Sequence, residues 1–141
     1  MLSSNSSILA LDVGAQRIGV ASANAVARLA HPLTTLQHTE TIMADIQKLI
    51  DQEDAAILVV GWPRGMSGQT TDQTRTIEAF TEELKKILSI PVYSQDEAVT
   101  SHKAEEELRQ RGKPFEKGDI DALAATYILE DFLNEHPEAR A

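Results

Sequence analysis

The sequence predicts a layered α/β domain built on a mixed sheet of about five strands, with helices on both faces. Three features predict it. Three strand-like segments come first, and helix and strand then alternate to the end. The run AAILVVG, residues 55 to 61, is apolar without alternation, as in a strand covered on both sides. The later segments between strands carry apolar residues at helical spacing.

The elements follow in order. SILALDV (7 to 13) reads as a buried strand and RIGVASA (17 to 23) as its hairpin partner across a short glycine-containing turn. HPLTTL supplies a third strand, placed at an edge because Pro32 has no N–H for a ladder. In TIMADIQKLIDQED, Ile42, Ile46, Leu49 and Ile50 share one helical face. After the 55–61 strand, WPRGMSGQ reads as a loop. Thr70 and Gln73 form a capping-box signature for a helix with Ile77, Phe80, Leu84 and Leu88 on its inner stripe. IPVYS is a short strand. DEAVTSHKAEEELRQRG reads as a loop turning into a polar helix that stops at Gly112, and DIDALAATYILEDFL is the last helix.

At 141 residues the chain has room for a single domain, 1–141, with residues 1–6 and 135–141 expected to fray. It contains no cysteine, which excludes disulfides and thiolate metal sites. The opening MLSSNSS has no basic side chain, and no window approaches the roughly 20 apolar residues of a membrane span. The expectation is a cytoplasmic protein with no membrane partner. Thirteen basic against 22 acidic residues give a net charge of −9, which argues against a non-specific nucleic-acid binder unless local arrangement overrules it.

The chemistry starts at ILALDVGAQRIGVA, where Asp12 interrupts an apolar strand. A carboxylate taken out of water is costly unless paired, hydrogen-bonded or metal-bound. Asp12 lies near the carboxyl end of its strand, where ligands bind in open α/β sheets. The pair Asp96–Glu97 follows IPVYS at the corresponding end. On the last helix, Asp121 shares a face with Ala124, Ala125 and Ile128, so it points toward the sheet. Taken singly, each carboxylate has a plainer reading as a turn former, a solvated loop residue or a helix-start acid; Asp119 is assigned that last role. Together they can converge. Convergent carboxylates ionise jointly only around a cation, and oxygen ligands suit Mg²⁺ or Mn²⁺. Two such ions about 4 Å apart can activate a water and stabilise a leaving phosphodiester oxygen.

The blocks ALDVGAQRIGVA, VVGWPRGMSG, SQDEAVTSHKAEEELRQRG and KGDIDALAATYILEDFL resemble, in order and spacing, the four motif blocks of the YqgF family, over about residues 8 to 133. That family is also described as pre-16S rRNA nucleases or Holliday-junction-resolvase-like proteins. The resemblance implies a ribonuclease-H-like three-layer fold and a metal-dependent nuclease trimming the end of the small-subunit ribosomal RNA precursor. Its acidic positions fall on Asp12, on Glu97 with Asp96 beside it, and on Asp121, as catalytic and metal-holding residues for two Mg²⁺ or Mn²⁺ ions. Its glycine loop falls on Gly61, Pro63, Met66 and Gly68. The chain departs from the family where Ala98 replaces an expected arginine, Ser101 a threonine, Ser67 an aspartate and Trp62 an aliphatic residue; Thr100 is retained.

Gly14, Arg17, Arg64, Gly68, Thr100 and Lys117 are the candidate substrate contacts. The glycines would admit close backbone approach, though hairpin geometry explains Gly14 and Gly19 as well. Trp62 could stack on a base or simply pack. His31, His38, His102 and His136 show no ligand spacing and read as structural or surface residues. The run 105–107, three glutamates, reads as a solvated helix face.

Three functions compete at this level. The first is a metal-dependent nuclease whose partner is nucleic acid, pre-16S rRNA ahead of branched DNA, in the setting of ribosomal particles. The second is an actin- or sugar-kinase-type phosphotransferase, disfavoured because that design needs two such domains and a second Asp-x-Gly loop. The third is a non-catalytic nucleic-acid-binding module in transcription or ribosome assembly. Monomer and homodimer stay equally open.

Overall fold

The structure, a computed structural model, describes residues 2–63, 72–97 and 101–141. Strands β1 (Ser7–Val13), β2 (Arg17–Asn24) and β3 (His31–Gln37) form an antiparallel meander. Helix α1 (Ile42–Glu53) crosses to β4 (Ala55–Pro63), which pairs parallel with β1, and α2 (Asp72–Ile87) crosses to β5 (Val92–Glu97), parallel to β4. Helices α3 (Ser101–Gln110) and α4 (Lys117–Glu135) complete the chain. The sheet order is β3-β2-β1-β4-β5, so β3 and β5 are the edges. The mixed five-stranded sheet expected from the sequence is present.

Alternation along the strands divides the core into two layers. Leu9, Leu11, Val20, Leu58 and Val60 face α1 and α2, meeting Ile46, Ile50, Ile77, Phe80 and Leu84. Ile8, Ala10, Ala21, Ile57 and Val59 face α4, meeting Ala125, Ile128, Leu129 and Phe132. Helix α3 rides on α4 through Ala104, Leu108, Leu123 and Ala124. Helices therefore cover both faces.

Two glycines set how close α4 comes. A Cβ on Gly19 would lie 1.9 Å from the Asp121 carbonyl oxygen, and one on Gly61 2.4 Å from Ile128 Cδ1. Bare backbone at these points of β2 and β4 lets the helix settle onto the sheet. Gly14 serves the β1–β2 turn, where its N–H donates to the Arg17 carbonyl at 2.9 Å. Gly112, at φ +73°, ends α3 in the conformation that favours glycine.

Two strand ends differ from expectation. Trp62, Pro63, Asp96 and Glu97, expected in loops, are strand residues, because β4 and β5 keep pairing through Trp62–Asp96 and Pro63–Glu97. At the amino end, the Asn24 side-chain amide donates to the Ser4 carbonyl at 3.1 Å and Leu2 packs on the α4-side core. Arg28 donates to the carbonyls of Leu133 (2.7 Å), His136 (3.0 Å) and Ala139, and Ala139 is buried.

Candidate active site

Asp12 sits one residue from the end of β1 and shares the parity of Ile8 and Ala10, so its side chain leaves the sheet toward α4. Glu97, the last residue of β5, shares the parity of buried Gln95, whose Nε2 donates to Glu135 of α4 at 2.6 Å. Glu97 is itself buried and faces the same layer. Asp96 alternates to the other face and is exposed. The acidic pair therefore divides: Glu97 lies on the Asp12 side and Asp96 does not.

Asp121 lies in the second turn of α4, directly over β2, because Gly19 admits the helix backbone there. Its Oδ2 accepts a charge-assisted hydrogen bond from Arg17 Nε at 2.6 Å. Arg17, expected at a phosphate, is in this structure the ion-pair partner of Asp121. Asp119 instead closes a capping box: its carboxylate accepts from the Glu116 N–H at 2.8 Å, and Glu116 reciprocates.

The Asp12 carboxyl is pushed up from 3.8 to about 6, first by burial and then by repulsion from Asp121. Its carboxylate has no hydrogen-bond donor among the described residues. A half-buried acid beside a second acid, with one arginine as their shared counter-charge, is an environment that a divalent cation would relieve. The donor set is carboxylate oxygen throughout, which suits Mg²⁺ or Mn²⁺. Among the described residues, however, no three acidic or histidine side chains stand close enough together to hold an ion. What the fold brings together is the Asp12–Asp121 pair, with Glu97 on the same face of the sheet.

The other candidates separate clearly. Lys117 is exposed at the first position of α4 and, with Arg17, lines an open cleft of about 630 Å³. Trp62 packs against the α1–α2 core, and its indole N–H is buried without an acceptor among the described residues. His38 Nδ1 lies 2.7 Å from the Gly14 carbonyl, His136 stacks on Phe132, and His31 and His102 are exposed. Of the glutamates at 105–107, Glu107 is a docking residue. It accepts from the Tyr127 hydroxyl of α4 at 2.8 Å and pairs with Arg111. Arg64, Met66, Gly68, Thr70, Ala98 and Thr100 lie outside the described residues.

Sequence reasoning missed the Arg17–Asp121 partnership and the reason for Gly19. Nothing local signals either, since the partners are about a hundred residues apart.

A family model described as RuvX, Holliday junction resolvase, matches residues 6–135. A protein of Chloroflexus aurantiacus named "Putative pre-16S rRNA nuclease" is 44% identical over 131 residues, spanning 90% of this chain and 86% of its own. One of the same name from Gloeothece citriformis is 36% identical over 137 residues, spanning 94% and 90%. Among solved structures, Thermus thermophilus RuvC in complex with a Holliday junction substrate superposes with a TM-score of 0.57 at 14% identity, over 95% of this chain and 98% of that one. The Fowlpox virus resolvase, solved with Holliday junction DNA, gives 0.55 at 11% identity, over 93% and 98%. At such identities these likenesses establish the fold, which is ribonuclease-H-like.

Proposed function

The chain belongs to the RuvX family of Holliday junction resolvases, and we propose that it is a metal-dependent nuclease trimming the precursor of 16S ribosomal RNA during ribosome biogenesis in the cytoplasm. The observation that carries the chemistry is the Asp12–Asp121 pair. Two carboxylates are held together against their own repulsion at the carboxyl end of the central strand. A fold tolerates that arrangement where a cation completes it.

In this reading Asp12 and Asp121 hold Mg²⁺ or Mn²⁺, with Glu97 joining them from β5 on the same face. The ions, when bound, supply Lewis acidity and an activated water for in-line attack on a phosphodiester. The protein's share is placement. β1 fixes Asp12 within the sheet, Gly19 fixes the height of Asp121, and Arg17 holds the Asp121 carboxylate in one orientation. Burial on the α4 side keeps the local dielectric low, which strengthens each charge interaction there. Asp96, on the opposite face, is left out of the ligand set.

RNA is favoured over branched DNA because the relatives at 36 to 44% identity carry the pre-16S rRNA name, whereas the junction-bound structures are at 11 to 14%. The test is cleavage of precursor 16S rRNA and a four-way DNA junction side by side, with Mg²⁺ or Mn²⁺, using wild type and Asp12→Asn. Wild type should cut the RNA and Asp12→Asn should not. Equal cleavage by both proteins would falsify the assignment.

A further inference from the structure

We propose that the β3 edge and the facing segment 111–118 form the track along which the phosphodiester backbone of the RNA substrate reaches the carboxylates. The inference rests on the nuclease reading above. It answers how a chain of net charge −9 can hold a polyanion.

The negative charge is unevenly distributed. Residues 13 to 39, which contain β2 and β3, include no Asp or Glu, although the chain carries 22. At physiological salt, charges further off than about 8 Å are largely screened, so the local face decides what binds. This face bears the cleft of about 630 Å³ lined by Arg17, Lys117, Thr34, Thr35 and Gln37, together with Glu116 and Asp119 at the start of α4. A second cleft of about 240 Å³ continues it through the shared residues Pro32, Asp119 and Ala122, adding Lys113 and Arg111, the latter paired with Glu107.

The two acids of this wall keep their charge but are turned toward backbone. Glu116 and Asp119 turn onto each other's backbone amides in the α4 capping box. Lys113 and Lys117 are exposed and form no ion pair among the described residues. As an edge strand, β3 also presents backbone N–H groups on its unpaired side, and amides of this kind bind phosphate oxygens. Arg17 joins the track to the site, since it lines the first cleft and bonds Asp121. Phosphates lying on Lys113 and Lys117 would thus lead along β3 to the carboxylate pair.

The experiment uses Asp12→Asn protein, so that RNA is bound and not cut. Affinity for a fluorescent precursor-rRNA fragment is measured by anisotropy across a salt series, with and without Lys113→Glu/Lys117→Glu. Glutamate suits the start of a helix, so the fold should tolerate the change at 117. A control carries Lys85→Glu/Lys86→Glu in the last turn of α2, which leads into the opposite end of β5. The track predicts at least a roughly 10-fold loss of affinity, and a salt slope smaller by about two, for the 113/117 variant alone. Equal affinities for the 113/117 and 85/86 variants would overturn the track while leaving the nuclease reading intact. A loss seen with a four-way DNA junction and absent with RNA would overturn the assignment to RNA. Wild type that neither binds nor cuts the RNA removes the nuclease reading and the track together.

Discussion

Arg17 Nε of β2 and Asp121 Oδ2 of α4 meet at 2.6 Å across a sequence separation of 104 residues. Both side chains are largely buried, with 28% and 19% of their surface exposed. The contact ties the last helix to the hairpin at the point where Asp12 leaves the sheet. It also lowers the net charge of the acidic pair when no cation is bound.

Arg17→Gln should therefore destabilise the protein by about 2 kcal/mol, as expected on breaking a part-buried charged pair. Lysine at the same position should restore only part of this, because a flexible ammonium cannot reproduce the guanidinium geometry. Urea denaturation of the three proteins measures both effects.

Asp12→Asn should abolish cleavage and yet stabilise the protein. The Asp12 carboxyl rises from 3.8 unfolded to about 6 folded. Between those values the folded state binds more protons, so stability falls as pH rises and the penalty is complete above about pH 6. The asparagine removes a penalty of about 3 kcal/mol at pH 8 and only a small part of it at pH 4. Thermal melts in chelator at the two pH values should show a raised Tm for the variant at pH 8 only.

Divalent ions should reverse that order. A saturating ion at a hundred times its Kd adds about 2.7 kcal/mol to a protein that binds it only when folded. Mn²⁺ or Mg²⁺ should thus raise the Tm of wild type and leave that of Asp12→Asn nearly unchanged. Chelation should end cleavage, and re-addition of the ion should restore it.

Gly19→Ala should be severe for a methyl group. Its Cβ would sit 1.9 Å from the Asp121 carbonyl oxygen, and backbone cannot rotate away as a side chain can. A loss of about 3 kcal/mol is expected, with α4 lifted from β2. Activity measured well below the lowered Tm should fall as well, because Asp121 moves with its helix.

Tyr127→Phe separates docking from chemistry. It removes the bond to Glu107 that joins α4 to α3, at a cost of about 1 kcal/mol. Cleavage rates at 25 °C should be unchanged, since neither residue touches the carboxylate pair.

Local pattern alone determined much of this protein. Apolar runs marked β1 and β4, alternation and a glycine turn marked β2, helical spacing marked the faces of α1, α2 and α4, and Pro32 marked the edge at β3. These depend on neighbours within a few residues, where side-chain periodicity is written directly in the chain. The half-buried position of Asp12 and the inward face of Asp121 were legible for the same reason. The tertiary structure alone decided that Glu97 and not Asp96 joins the Asp12 face, since the register of β5 on β4 sets which of two adjacent acids points to α4. It alone gave Asp121 its arginine and Gly19 its purpose. Both arise where a helix from the end of the chain settles on a strand from its beginning, and no short-range pattern records a contact closed over that distance.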